Sequence, residues 1–168
     1  RKTGKEADNR LKIDKETVIN EMLVNNYEKY YRIAYSYAKN ESDAQDIVQE
    51  SAYKAIFNSE KIKEIQYADT WICRIIINES IEFLRKNQKE FADVFEESSE
   101  NNQYENIDLR QAIERLSPKE KSVVVLRYFE DMTLEQVADA AGENLSTVKS
   151  RLYRALGKMK IDLSGSNI

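Results

Sequence analysis

The sequence of 168 residues contains no histidine, one cysteine, one proline and four glycines. Without histidine there is no Ser-His-Asp triad, no Cys-His pair and no imidazole ligand for a metal. A single cysteine forms neither an internal disulfide nor a thiolate zinc cluster. So few glycines and prolines favour helices with short connections over an all-β fold, which needs many turns. We therefore predict an all-α protein with no metal and no cofactor, while catalysis by carboxylates alone stays open at this point.

Long hydrophobic runs are also missing, since no stretch approaches the ~18 apolar residues of a membrane span. The first residues are polar and show no signal peptide. Charged residues make up 33% of the sequence and hydrophobic residues 41%, which is typical of a globular rather than a disordered protein. We therefore expect a cytoplasmic location without direct insertion into a membrane.

The net charge of −4 argues weakly against a nucleic-acid partner, but this charge is unevenly distributed. Residues 91–108 carry six acidic side chains and no basic one, whereas residues 109–168 carry 10 bases and eight acids. The acidic stretch is rich in Ser, Asn and Gln, which is typical of a linker. The alternative is a solvated surface loop, but a structureless loop of this length is uncommon inside one compact domain.

The charge pattern therefore predicts two small helical domains joined by a flexible acidic linker. The first domain covers residues 16–90, the linker 91–107 and the second domain 108–164. Residues 1–15 form a polar N-terminal segment for which disorder is allowed.

The first domain shows three amphipathic helical patterns. Between residues 19 and 37, apolar side chains recur at steps of three and four positions. Ser42, followed three residues later by Gln45, predicts a capping box at the start of a second helix. Asp69 is the predicted N-cap of a third helix. Residues 58–68 form a connection that has room for a short extra helix.

The second domain carries a strong signal for a helix start at residue 117. Ser117, Pro118 and Glu120 combine an N-cap, a proline at the first helical position and an acid at the third. The apolar residues that follow predict a buried helix containing Val123, Val124, Val125, Leu126, Tyr128 and Phe129.

Residues 133–160, TLEQVADAAGENLSTVKSRLYRALGKMK, have the layout of a helix-turn-helix. Thr133 and Gln136 predict a capping box, Gly142 a left-handed C-cap, and Ser146 or Thr147 the start of the second helix. The predicted shared core is Val137, Ala141, Leu145, Val148 and Leu152.

Charge separates within this motif. Residues 131–143 contain four acids and no base, whereas residues 149–160 contain five bases and no acid. A basic second helix suits DNA phosphates and guanine edges in the major groove. An ordinary amphipathic helix with a solvated basic face is the alternative.

Two polar faces of the first domain are candidate binding surfaces. Its second helix carries acid and amide side chains at Asp43, Asp46, Gln49 and Glu50. They form either a docking surface for a partner or simply a solvated face. The third helix has a basic side that could contact nucleic acid, formed by Arg74, Asn78, Arg85, Lys86 and Lys89. Trp71 is predicted to be a core residue, and Cys73 a small buried hydrophobe.

Over about residues 16–162, the chain resembles the bacterial extracytoplasmic-function sigma factors of the sigma-70 family. Three stretches carry the resemblance, in addition to the acidic linker: YEKYYRIAYSYAKNESDAQDIVQESAYKAIF, ADTWICRIIINESIEFLRKNQK and AIERLSPKEKSVVVLRYFEDMTLEQVADAAGENLSTVKSRLYRAL. They are similar to the polymerase-docking part, the promoter-melting part and the C-terminal helix-turn-helix domain. Their order is more specific than any one stretch, because many transcription regulators share only the last.

The resemblance implies a protein that binds core RNA polymerase, recognises the −10 and −35 promoter elements and helps to open the duplex. It implies docking on the coiled coil of the β′ clamp by Asp43, Asp46, Ile47, Gln49 and Glu50. It implies −35 contacts by Lys149, Ser150, Tyr153 and Arg154, with Thr147 and Arg151 nearer the phosphates. It implies −10 contacts by Trp71, Arg74, Asn78, Arg85 and Lys86. Of Trp71 and Asn78, Asn78 is the better candidate for a DNA contact.

The resemblance also implies regulation. Such proteins are usually held inactive by an anti-sigma factor, often membrane-anchored, which would keep this protein at the inner face of the membrane until an envelope stress. The chain most resembles members from low-GC Gram-positive bacteria that act in cell-wall stress. Its acidic linker would lie along basic polymerase channels that normally hold RNA. Glu143 departs from the family pattern, which has an apolar residue in the turn, and we expect its side chain to point outward.

Two alternatives belong to other classes. A helix-turn-helix regulator would bind a symmetric operator without polymerase, and its N-terminal domain would sense a signal or dimerise. A carboxylate-dependent helical enzyme would need acids that converge on one buried pocket.

Overall fold

The structure is a computed structural model that describes residues 3–87 and 107–165, with side chains described for 14–87 and 108–160. The chain divides into two compact units, Arg1–Phe83 and Leu84–Ile168. The described residues are almost wholly helical and contain no strand, which confirms the predicted all-α fold. No helix among them has the length and apolar character that a membrane crossing requires. The predicted linker, apart from Ile107, and Lys89 lie outside the described residues.

Four helices begin in the first unit: α1 (Thr3–Asn25), α2 (Tyr27–Ala38), α3 (Glu41–Phe57) and α4 (Ala68–Asn87). Two short 3₁₀ turns, Ser59–Lys61 and Ile65–Tyr67, connect α3 to α4 and confirm the expected extra helical turn.

The first helix begins at Thr3 and so includes most of the segment for which disorder was allowed. Its C-terminal half is anchored, because Ile19 is 1% exposed and the Lys15 ammonium donates to the Ile62 carbonyl at 3.0 Å. Extending an anchored helix costs less free energy than nucleating a new one, which accounts for the long α1.

The core of the first unit lies where α2, α3 and α4 contribute their apolar faces. Its fully or almost fully buried side chains include Tyr30, Ile33, Tyr37, Ala44, Val48, Ile72, Cys73 and Ile76. The predicted burial of Cys73 is thus confirmed. Each large aliphatic side chain contributes roughly 1.5–3 kcal/mol on full burial.

Two predicted helix starts in this unit are wrong. The N-cap of α3 is Asn40, whose side-chain oxygen accepts from the Asp43 backbone N–H at 2.9 Å, so Ser42 and Gln45 form no capping box. Asn40 is favoured because Lys39 before it has a left-handed backbone with φ of 62°, which ends α2 and turns the chain. The fourth helix begins at Ala68, one residue before the predicted cap.

The Asp69 carboxylate instead fastens α4 to α2. It accepts from the Tyr30 hydroxyl at 2.8 Å and from the Lys29 ammonium at 2.5 Å. Burial and the nearby Asp69 charge raise the pKa of Tyr30, which keeps its hydroxyl a donor. The buried Tyr30 hydroxyl needs a hydrogen-bond acceptor, and the Asp69 carboxylate supplies it instead of capping α4.

The second unit contains α5 (Ile107–Glu114), α6 (Pro118–Val124), α7 (Leu134–Ala141) and α8 (Leu145–Gly165). The capping box at Ser117 is confirmed, since its hydroxyl accepts from the Glu120 N–H and its own N–H donates to the Glu120 carboxylate. Val123 and Leu126 are fully buried, as predicted.

The predicted burial of Tyr128 and Phe129 is wrong, because their side chains are 51% and 54% exposed. A π-helical turn, Val125–Phe129, follows α6 and fits an extra residue into one turn. The extra residue rotates Tyr128 and Phe129 away from the apolar face on which a regular α-helix would place them.

Candidate functional site

A helix-turn-helix is formed by α7 and α8, as the sequence predicts. The capping box at Thr133 and Gln136 is confirmed, and Gly142 ends α7 with a left-handed φ of 69°. The start of α8 differs from the prediction, because the Asn144 side chain accepts from the Thr147 N–H at 2.8 Å. Asn144 comes directly after the turn, so it caps the helix before Ser146 or Thr147 can do so.

The core between these two helices consists of a few buried apolar side chains. Val137 and Val148 are fully buried and Leu152 is 6% exposed, in agreement with the prediction. Ala141 and Leu145, which were predicted to join them, are only half-buried. Ala138 and Ala140 of α7 are buried instead, and small alanine side chains let neighbouring helices approach closely.

The outer face of α8 carries most of the residues expected to contact the −35 element. Lys149, Ser150, Tyr153 and Arg154 are all exposed, and the Tyr153 side chain is 73% exposed. The period of the helix puts these four on the side away from Val148 and Leu152. This face offers hydroxyls, an aromatic ring and two cations to a groove.

The two remaining predicted residues, Thr147 and Arg151, lie at the edge of this face and are half-buried. An Arg151 guanidinium nitrogen lies 2.8 Å from the Glu143 carboxylate, and the Lys119 ammonium lies 3.6 Å from the same carboxylate. Hydrogen bonding from Arg151 lowers the pKa of Glu143. Glu143 therefore turns inward to a cation, and the expected outward orientation is wrong.

A second ion pair ties α8 to α6. The Lys158 ammonium lies 2.9 and 3.0 Å from the two carboxylate oxygens of Glu120, whose side chain is only 5% exposed. Burial alone would raise the pKa of Glu120, but hydrogen bonds from Lys158 and Ser117 lower it. Lys158 is thus engaged within the protein rather than presented to a ligand.

The outer face of α3 carries most of the residues expected to dock on a partner. Asp46, Gln49 and Glu50 are exposed. Asp43 is half-buried, and its carboxylate accepts from the Asn40 amide at 2.6 Å. Ile47 is 5% exposed and belongs to the core, so it is not part of this face.

Sequence analysis missed two aromatic residues on the same face of α3. Tyr53 is 64% exposed and Phe57 is 74% exposed, and their rings stack with centroids 6.0 Å apart. Together with Asp46 and Glu50 they follow a step pattern of four, three and four residues, which is the spacing of a helix seam that packs on another helix. That spacing is visible in the sequence and could have identified them. We call Asp46, Glu50, Tyr53 and Phe57 the α3 ridge.

The α3 ridge is linked to α4 through Lys54. The Lys54 ammonium forms a short ion pair with the Glu79 carboxylate and lies 3.7 Å from a Glu50 oxygen. Hydrogen bonding to Glu79 raises the pKa of Lys54, which therefore stays cationic. One cation thus couples the exposed face of α3 to the helix expected to contact the −10 element.

The residues expected to contact the −10 element are brought together on α4. Trp71, Arg74, Asn78 and Arg85 share the face opposite Ile72, Cys73 and Ile76, and Lys86 lies beside them. Trp71 is half-buried rather than a full core residue, and Asn78 is exposed. The Nε of Arg74 is buried and has no hydrogen-bond partner among the described residues.

The carboxylates of α3 do not form a shared buried site within residues 14–87. Asp46 and Glu50 lie along an exposed face, and Asp43 belongs to the helix cap. These three carboxylates therefore do not converge as the carboxylate-dependent enzyme considered above would require of its catalytic acids. No group of three carboxylate or thiolate residues in the described part of the chain is arranged to hold a metal ion.

Comparison with known proteins gives two family matches. Residues 22–90 match the family Sigma-70 region 2, and residues 106–159 match the family Sigma-70, region 4. The chain is 38% identical over 152 residues to RNA polymerase sigma factor SigV of Bacillus subtilis (strain 168), covering 87% of this chain and 91% of that protein. It is 33% identical to RNA polymerase sigma-E factor of Streptomyces coelicolor, covering 72% of each chain.

Two solved structures share the fold at low sequence identity. One is the sigma factor RpoE in complex with the anti-sigma factor NepR from Bartonella quintana, with a TM-score of 0.70, 24% identity and coverage of 86% of this chain and 96% of that chain. The other is CnrH in complex with the cytosolic domain of CnrY, with a TM-score of 0.67, 19% identity and coverage of 95% and 98%.

Proposed function

The chain belongs to the extracytoplasmic-function group of the sigma-70 family, whose members are RNA polymerase sigma factors, and on that premise we propose a role for each of its parts. Residues 16–90 bind core RNA polymerase and the −10 element, and residues 108–164 bind the −35 element. The acidic stretch 91–107 connects the two. The protein thus lends promoter specificity to an enzyme rather than catalysing a reaction itself.

The observation that carries this proposal is the exposed face of α8. Lys149, Ser150, Tyr153 and Arg154 stand together on the second helix of a helix-turn-helix, with no carboxylate among them. Such a helix enters the major groove, where Arg or Lys reads guanine and a hydroxyl binds a base or a phosphate. We assign base reading to Arg154, Ser150 and Tyr153, and the approach to the phosphates to Lys149 and Thr147.

The first unit offers two surfaces that suit a polymerase and a melted promoter. The α3 ridge is acidic and aromatic, so it fits a basic helical surface such as the coiled coil of the β′ clamp. Gln49 lies beside it, with Asp43 at the start of the helix and Ile47 supporting it from the core. We assign core polymerase docking to this face.

On α4, we assign −10 contacts to Trp71, Arg74, Asn78, Arg85 and Lys86. The buried Nε of Arg74 lacks a hydrogen-bond acceptor among the described residues. An arginine guanidinium can donate charge-assisted hydrogen bonds to a DNA phosphate. The exposed Asn78 can hydrogen-bond the edge of an unpaired base.

We also infer control by an anti-sigma factor. Two solved structures that share this fold are complexes, one with an anti-sigma factor and one with the cytosolic domain of CnrY. The proposal includes membrane anchoring of the anti-sigma factor, a cytoplasmic location for this chain at the inner face of the membrane, and a role in the response to cell-envelope stress.

Reconstituted transcription tests the function directly. Purified chain is added to core polymerase and a library of promoter fragments, and start sites are mapped. We expect initiation at start sites that share −10 and −35 motifs and that core polymerase alone does not use. Failure of the folded chain to bind core polymerase would overturn the proposal, and tight binding to a symmetric operator without polymerase would favour the regulator instead.

A further inference from the structure

The five basic side chains of α8 between residues 149 and 160 are not equivalent. Lys149 and Arg154 are exposed and have no ion-pair partner among the described residues. Arg151 and Lys158 are seven residues apart on one flank of the helix, and each is held by a carboxylate from outside α8. The cation count of the sequence therefore overstates what the helix offers to DNA.

We propose that Glu143 is a specificity-determining residue that holds Arg151 away from the DNA phosphates and fixes the turn of the helix-turn-helix. The inference rests on the proposed function, because it assumes that α8 binds the −35 element. It differs from what the family resemblance implies, which is that Arg151 lies near the phosphates.

The geometry around Glu143 supports a stable pair. Its carboxylate lies 2.8 Å from Arg151 and 3.6 Å from Lys119, so two cations neutralise it. The side chains of Arg151 and Glu143 are only 16% and 21% exposed, which limits competition from water and salt. Arginine–carboxylate hydrogen bonds are short, directional and charge-assisted.

The position of the pair explains how it affects specificity. Glu143 follows the left-handed Gly142 in the turn, whereas Arg151 lies two turns into α8. Their contact therefore sets the orientation of α8 relative to α7. Phosphate contacts carry no sequence information, so a freed Arg151 would strengthen binding to any DNA. A loosened turn would at the same time weaken the fit to the correct bases.

The test compares holoenzymes assembled from core polymerase and either the wild-type chain or Glu143→Gln. Binding to a promoter duplex from the mapped start sites and to a scrambled duplex is measured over a range of salt concentrations. If Glu143→Gln frees Arg151 for one extra phosphate contact, the slope of log affinity against log salt on scrambled DNA becomes steeper by about 0.9. If the variant and wild type bind equally at about 1 M salt, the variant then binds scrambled DNA about eightfold more tightly than wild type at about 0.1 M salt. The ratio of promoter to scrambled affinity should fall.

Two further variants make the result decisive. Glu135→Gln removes an equal charge from an exposed site on α7, and we expect it to leave the salt slope unchanged. Glu143→Gln combined with Arg151→Gln keeps the net charge, and we expect it to restore the wild-type slope. If the double variant instead lowers the slope by about 0.9 below wild type, Arg151 already contacts a phosphate and the inference is wrong.

The outcomes separate this inference from the proposed function. If the wild-type holoenzyme does not prefer promoter DNA, the function itself is overturned. If it does, and Glu143→Gln has the same slope and the same preference as wild type, only the role of Glu143 is refuted. Circular dichroism of each variant checks that the helices are retained.

Discussion

Replacing Glu120 with Gln should weaken the second unit by about 1–2 kcal/mol. The Glu120 side chain is 5% exposed and binds the Lys158 ammonium through both carboxylate oxygens. Gln keeps the size of the side chain and can still accept from the Ser117 N–H, so the substitution removes mainly the charge. A hydrogen bond to a charged group contributes roughly 1.5–3 kcal/mol. The Lys158 side chain is 50% exposed, so its ammonium is hydrated again once the Glu120 charge is removed. We therefore expect a loss of stability near the lower end of that range.

Urea unfolding of the full chain measures this loss. Trp71 is the only tryptophan, so its fluorescence follows the first unit, whereas far-UV circular dichroism follows the helices of both. We expect the variant to lower the midpoint of the second-unit transition relative to the Trp71 transition. Glu135→Gln, at an exposed site on α7, is the matched control and should change neither. A loss of less than about 0.5 kcal/mol would refute the assigned strength of the pair.

The same pair predicts a pH dependence. Burial raises the pKa of Glu120, but the hydrogen bonds from Lys158 and Ser117 outweigh it and hold the pKa below the usual 4.5. A carboxyl whose pKa is lowered on folding stabilises the protein above its unfolded pKa, and that stabilisation is lost as the pH falls through the folded pKa. The difference between wild type and Glu120→Gln should therefore be constant above about pH 5 and shrink in stronger acid. A difference that persists unchanged in acid would contradict the assignment.

Three further substitutions test other parts of the protein. Arg154→Ala should weaken binding to the −35 element by about 1–3 kcal/mol if the Arg154 guanidinium contacts a base. An unchanged promoter profile in transcription assays would show that Arg154 does not read the −35 sequence. Tyr53→Ala and Phe57→Ala should each weaken core polymerase binding by about tenfold, because exposed aromatic anchors often dominate an interface, whereas Tyr128→Ala in the second unit serves as the exposed aromatic control. Gly157→Ala should stabilise α8 by about 1 kcal/mol, since an added Cβ meets no atom within 4 Å; a lower unfolding temperature would contradict this.

Helix ends were predictable where a single residue could serve as the cap. Ser117 and Thr133 each precede a matching Glu or Gln by three residues, and both capping boxes form. Near Asn40 and Asn144 several residues compete for the same role. There an Asn caps the helix, directly after the left-handed Lys39 in one case and two residues after the left-handed Gly142 in the other, whereas a later residue was predicted.

Burial was predictable where the helical period continued unbroken. The apolar pattern correctly marked Val123 to Leu126, but the π-helical turn that follows shifts Tyr128 and Phe129 toward solvent. Nothing in the local apolar pattern signals that turn, because it depends on how the chain leaves α6 for α7. On α3, by contrast, the helical period is unbroken, so the burial of Ile47 and the exposure of Tyr53 and Phe57 on another face both follow from their spacing in the sequence.

The sequence by itself determined the all-α class, the separation of charge along the chain and the helix-turn-helix, because helix caps and periodicity act over a few neighbouring residues. Only the tertiary structure decided which charges remain available for a partner. Glu120 and Lys158 are 38 residues apart in sequence and meet only because α6 packs against α8. Glu143 likewise reaches Arg151 only once the turn has folded. Ion pairing at a distance depends on packing, so a basic helix recognised from sequence presents fewer free cations than its composition implies.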